Sequence, residues 1–224
     1  MSYLPSLPVL LPMIAEVIAA VVAIVYYFKY KKSSLKILPF YLVFMVINEN
    51  LAWFYYWYNT FIKKEIRVNN LIFFNIYSIV TAYVFIHIFY KSIKNKTAKT
   101  AVFGMGVLYA IICIINSFYH SFRYEMTDIP DIVLSFIIVI ITIIYLSEIL
   151  NSDQIIVINK VLLFWISIAL LLYYLPVVPF QVVAKIHRYA KLVPQFYIIN
   201  SLLAGTYYII FILGFIWSGK NQKD

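Results

Sequence analysis

Apolar residues run through this chain in long blocks, with short polar breaks between them. Seven blocks stand out: Leu10–Phe28, Ile37–Tyr58, Leu71–Tyr90, Ala101–Tyr119, Ile132–Leu150, Val161–Val178 and Phe196–Trp217. A helix rises 1.5 Å per residue, so about 20 residues cross a hydrocarbon core roughly 30 Å thick. In lipid, backbone polar groups must be satisfied internally, which leaves helices or closed barrels. Barrel strands alternate apolar and polar residues, whereas these blocks are solidly apolar. The pattern predicts an all-α polytopic membrane protein, a bundle of seven transmembrane helices. No intervening loop is long enough for a separate domain, so residues 1–224 read as one unit.

Composition agrees, with 64% hydrophobic residues, 12% charged residues and a mean hydropathy of +0.90. The net charge of +9 sits in short loops at block ends. Such charge sets topology and meets lipid headgroups, which argues against nucleic acid as a partner. Basic residues follow the first block rather than precede it, as in Lys29, Lys31 and Lys32, so that block reads as a retained span and not a signal peptide. Counted by side, Lys and Arg number seven on the side of the N-terminus and eleven on the other. The positive-inside rule then predicts an inner (plasma) membrane protein with its N-terminus outside and its C-terminus cytoplasmic.

Residues 181–192 interleave apolar and basic positions at the spacing of a short helix lying in the interface, or form an ordinary basic loop. Small residues mark packing faces, which let helix backbones approach in lipid. Glu16, Ala19, Ala20 and Ala23 share one face of the first block, and Gly106, Ala110 and Cys113 one face of the fourth. Cys113 is the single cysteine, so neither an intrachain disulfide nor a cysteine-based metal cluster is available.

Intramembrane polar groups carry the candidate chemistry, because each is costly in lipid and tends to face a bundle interior or a cavity. Counting from the N-terminal side places Glu16 roughly 9 Å and Glu49 roughly 13 Å deep. Asn75, Asn116 and Asn200 fall within roughly 4–6 Å of the same edge, with His120 at the rim. Asn48 flanks Glu49, and Tyr173 with Tyr174 lies near the same end of the sixth block. The opposite half is drier, with His87 and Glu148. This asymmetry predicts a polar cavity open on the N-terminal side, built from Glu49, Glu16, Asn48, Asn75, Asn116, His120, Tyr173 and Asn200. Met45, Trp53 and Tyr56 share the helical face of Glu49, and a carboxylate beside an aromatic wall suits a cation or an amine. The bland alternative is that each polar group only satisfies a neighbouring helix.

An enzyme working through Glu16 and Glu49 stays open, but the common signatures are missing. A retinal Schiff base needs a lysine within the last block, and Lys191 and Lys220 only bracket it. His87, His120 and His187 lie at different depths, without the converging ligands of a zinc site. No nucleophile elbow, P-loop or dinucleotide fingerprint occurs. No cofactor, metal or catalytic residue is assigned.

Leu163-Phe164-Trp165-Ile166, Tyr173-Tyr174, Asn200 and the closing Gly214-Phe215-Ile216-Trp217 resemble a group of small seven-span membrane proteins from Bacteroidetes, over Asn69 to Gly219. The chain departs from that group at Thr81-Ala82-Tyr83 and Leu134-Ser135, where an acidic residue is usual. The resemblance implies no catalytic residue and hints at sensing. The leading expectation is a sensory, receptor-like or accessory protein that meets the lipid bilayer and binds a small ligand, or a membrane or cytoplasmic protein partner. The rivals are a transporter or channel subunit using Glu49, and a structural subunit of a membrane complex.

Overall fold

The computed structural model describes residues 7–63, 70–152, 161–186 and 193–221. Lys64, Arg67, Lys160, Arg188, Lys191 and Lys223, which enter the charge count, lie outside these residues, as does His187. Among the described residues there are helices and no strands. The long helices are α1 (Leu7–Val25), α3 (Leu38–Trp57), α4 (Leu71–Ser92), α5 (Lys96–Tyr119), α6 (Asp128–Leu150), α7 (Leu162–Ile186) and α8 (Val193–Asn221), with a single turn, α2 (Tyr27–Tyr30), after α1. Six of them, α3 to α8, contain stretches long and apolar enough to cross a membrane, and α1 carries a shorter apolar stretch, Leu10–Val25. This is the make-up of a multi-pass membrane protein.

Local chemistry sets the boundaries. Pro39 opens the first turn of α3, where its missing N–H costs nothing. A π-turn, Tyr58–Ile62, extends the far end of that helix. The Asn95 side chain caps α5 by accepting from the Ala98 N–H at 3.1 Å. Glu148, near the end of α6, accepts from the N–H groups of Lys94 and Asn95 at 2.7 and 3.3 Å. That carboxylate ties the α4–α5 turn to α6, so it is a structural strut. Asp128 and Asp131 occupy the first turn of α6, where the helix dipole favours negative charge.

α1, α3, α4, α6, α7 and α8 each pack against the next, and α8 returns to α1, closing a ring. α5 lies outside the ring against α4 and α6. Phe85, Phe89, Ile138, Ile166, Phe211 and Phe215 fill the interior. Exposed Ile, Leu, Val and Phe cover the outside, including Phe103, Leu108, Ile111 and Phe118 on α5, as a lipid-facing surface requires.

The small-residue face of α1 packs inward as expected, with Ala15, Glu16, Ala19, Ala20 and Ala23 all buried. α8 answers with glycines. A Cβ on Gly214 would lie 2.6 Å from the Cβ of Trp165 on α7, and one on Gly205 would run into the side chain of Leu11 on α1. The α7–α8 seam depends on the close approach at Gly214, whereas at Gly205 the neighbour is the movable end of the Leu11 side chain. One expectation is corrected. Residues 181–186 do not begin a separate interfacial helix; they continue α7, and residues 187–192 lie outside the described part. Pro176 lies within α7 together with Pro179, and the helix runs on through both.

Candidate functional site

The structure divides the expected polar cavity into separate groups. The groups face different seams.

Glu16 and Glu49 come together. α1 and α3 are neighbours in the ring, and the two carboxyl groups face each other directly, with the Tyr208 hydroxyl of α8 also in reach of Glu16. Glu16 is 2% exposed, while Glu49 is half-buried. Glu16 Oε1 is enclosed and makes no hydrogen bond. Both acids line a cavity of about 330 Å³, with Leu10, Met13, Ile14, Val17, Ile18 and Asn50. The Asn50 amide nitrogen donates to the Val46 carbonyl at 2.7 Å, which leaves its second N–H and its acceptor oxygen. The aromatic wall expected beside Glu49 is absent. Met45 is buried, Trp53 and Tyr56 are exposed, and the walls are aliphatic residues of α1.

Asn75 belongs elsewhere and is fully engaged. Its Nδ2 donates to the carbonyls of Phe122 and Glu125 at 2.8 and 2.9 Å. Its Oδ1 accepts from the Thr127 N–H at 3.2 Å and the Thr127 hydroxyl at 3.0 Å. All four hydrogen-bonding positions of the amide are used. Asn75 therefore anchors the α5–α6 loop to α4 and has nothing left for a ligand. His120, in the same loop, pairs with Glu125 at 2.6 Å, both side chains about half exposed at 49% and 50%.

Asn116 and His120 line a second cavity of about 210 Å³ between α4, α5 and α6, with Tyr109 and Cys113 deeper in it. Tyr109 is fully buried and its hydroxyl has no partner. Asn48 joins α3 to α4 by donating to the Phe73 carbonyl at 3.0 Å. Tyr173 of α7 donates to Asn200 Oδ1 of α8 at 3.3 Å. Of the eight expected site residues, Glu16 and Glu49 share one cavity, and Asn116 and His120 share the other. Asn48, Asn75, Tyr173 and Asn200 make helix-to-helix or helix-to-loop bonds.

The half opposite the N-terminal side is less dry than its sequence implies. Tyr41 and Thr81 meet at 3.1 Å, Tyr30 and Ser218 at 2.6 Å, and Ser34 and Ser92 at 2.9 Å. Twenty-one tyrosines hide any single one from a sequence reading. Among the described residues no cluster of three or more His, Cys, Asp or Glu side chains is placed to hold a metal.

These features define a helical, multi-pass membrane protein with an acidic pair set into one seam of its bundle. No protein-family model, no curated protein and no solved structure matches the chain significantly.

Proposed function

We propose that this is a receptor-like or accessory protein of a bacterial plasma membrane that binds a small ligand, or a group offered by a partner, at the Glu16–Glu49 cavity. One observation carries the reading. Glu16 Oε1 is buried without a hydrogen-bond partner, beside a second carboxyl group, in a cavity. A polar group left unmet in an apolar setting is costly, and ionisable residues within membrane helices mark functional sites by default. Two facing carboxyl groups repel when both are charged, and one positive charge between them relieves that repulsion.

In this reading α1 is a seventh span. Its support is the packing of α1 between α3 and α8 and its exposed apolar face of Ile14, Ile18, Val21 and Val25. The bias of basic residues orients the N-terminus outside, so the acidic cavity opens in the outer half.

A transporter is the second reading, and hydroxyl groups favour it. Tyr208 reaches Glu16, and Tyr41 bridges Tyr207 and Thr81 across the ring. Such groups are the material of a proton path from the acids toward the other side.

The test is purification from native membranes of the wild type and of Glu16→Gln, with mass spectrometry of bound small molecules and proteins. A species retained by the wild type and lost from a folded Glu16→Gln supports the receptor reading. Proton flux in liposomes that Glu49→Gln abolishes supports the transporter. Identical retention together with no flux removes the acids from function.

A further inference from the structure

We infer that the Glu16–Glu49 cavity takes the head of a single-chain amphiphilic amine, which enters sideways from the bilayer between α1 and α3 and leaves its tail in lipid. This rests on the proposed ligand site and adds the chemistry of its occupant.

The head follows from the acceptors present. A primary ammonium carries three N–H donors and no acceptor. The cavity presents the unpartnered Glu16 Oε1, the Glu49 carboxyl group and the remaining amide oxygen of Asn50. Among the described residues no Lys, Arg or His lines it, so none of them supplies a cation to the two carboxyl groups. Aliphatic amines ionise near pH 10 and carry their charge at neutral pH. Two carboxyl groups and one amide oxygen are too few for a dehydrated divalent ion such as calcium, which takes six to eight oxygens.

The tail follows from where the cavity opens. Ile14, Val17 and Ile18 form its wall and are 58%, 44% and 47% exposed. Exposed aliphatic residues at this depth of a membrane helix face acyl chains, not water. The acids are reached past Leu10, Met13 and these residues, from the lipid side of the α1–α3 seam. A cavity of about 330 Å³ accommodates a head and its first methylenes, while a longer chain continues along α1.

Dodecylamine binding would be measured by calorimetry on the full chain in phosphatidylcholine nanodiscs, with empty nanodiscs subtracted. Methylamine, dodecanol and dodecyltrimethylammonium serve as head-only, tail-only and N–H-free controls. Saturable dodecylamine binding is expected, weakened at least tenfold by Glu16→Gln and at least tenfold for each control compound. Val17→Trp fills the lipid-side wall while both acids stay in the chain, and should block dodecylamine equally. This second variant decides the matter where Glu16→Gln does not fold. Equal binding by wild type, Glu16→Gln and Val17→Trp overturns the inference, since the amine then merely partitions into lipid. Methylamine binding as tightly as dodecylamine overturns lateral entry and leaves the acidic site standing. Absence of dodecylamine binding overturns the amine class. If a native species is still retained in a Glu16-dependent way, the ligand site survives that result.

Discussion

Two polar clusters lie toward the same end of this bundle, and they are built in opposite ways. Around Asn75 every donor and acceptor of the amide is matched, to Phe122, Glu125 and Thr127. Around Glu16 the polar atoms face each other and a cavity, and one carboxylate oxygen has no partner. Both residues are buried to within 2%, so burial alone does not separate them. Satisfaction does. A buried polar group with all its bonds made stabilises the fold, whereas one with bonds missing costs stability and persists where something else uses it. The contrast teaches that the Asn75 cluster is architecture and the Glu16 pair is a site.

The most forceful way to break this comparison is to remove Asn75. Asn75→Ala removes the partner of the Phe122 and Glu125 carbonyls and of the N–H and hydroxyl of the buried Thr127. At about 1–3 kcal/mol for each group left unmet, and with water entering to repair some of them, a loss of about 3 kcal/mol is expected. Reversible unfolding in mixed detergent micelles would measure it. Asn75→Asp should be nearly as damaging, since it keeps the acceptor for Thr127 but sets oxygen against the Phe122 and Glu125 carbonyls. A variant of either kind that unfolds like the wild type would make Asn75 a bystander.

The distinction between these clusters was only half legible in the sequence. Depth follows from counting 1.5 Å per residue, which put Glu16 and Glu49 at matching heights, and α1 and α3 are consecutive long helices that pack as neighbours. Depth is one coordinate, however. The angular position of a side chain around the bundle depends on which helix packs on which, and the closed ring with α5 outside it is not written in any local pattern. Counting alone therefore groups Asn116 and His120 with the acids, although they face the α4–α5–α6 seam. The role of Asn75 was hidden for a related reason. Its partners are mostly backbone groups 47, 50 and 52 residues away, and backbone groups leave no trace in residue identity. The small-residue faces of α1 were readable because Ala repeats at helical spacing carry their meaning locally.

Replacing the acid should move stability the other way. Glu16→Leu removes an unpaired polar group and substitutes an apolar side chain of similar length in an apolar seam. Replacing poorly compensated buried charges by hydrophobic residues is often neutral or stabilising. A gain of about 1 kcal/mol is expected in the same unfolding assay, together with loss of ligand retention. A loss of about 2 kcal/mol or more on this scale would mean that Glu16 is structural after all, and the two clusters would then be of one kind.

Asn48→Ala tests the middle ground. It deletes a single bond to the Phe73 carbonyl, 3.0 Å long and partly buried. One such hydrogen bond contributes about 1 kcal/mol, so a loss of about that size is expected with ligand retention intact. Asn48 adjoins Glu49 in sequence, but its side chain serves the α3–α4 seam. Loss of ligand retention without loss of stability would move Asn48 into the site and blur the boundary between the two clusters.

The smallest effect belongs to His120. Its pair with Glu125 is short, 2.6 Å, but both side chains are about half exposed, at 49% and 50%. Exposed ion pairs contribute roughly 0–1 kcal/mol, because water and salt screen them and ordering two side chains costs entropy. The loop they share is already held by Asn75, and the His120 backbone N–H bonds to the Asn116 carbonyl at 2.9 Å regardless of the side chain. His120→Ala should therefore shift unfolding by less than about 0.5 kcal/mol, and raising the salt concentration should not change the wild type measurably at this position. A loss approaching that of Asn75→Ala would show that the rim of the loop, and not the buried amide beneath it, holds this end of the bundle together. The second cavity lined by His120, Asn116 and Tyr109 would then have a rigid mouth rather than a solvent-facing pair at its edge.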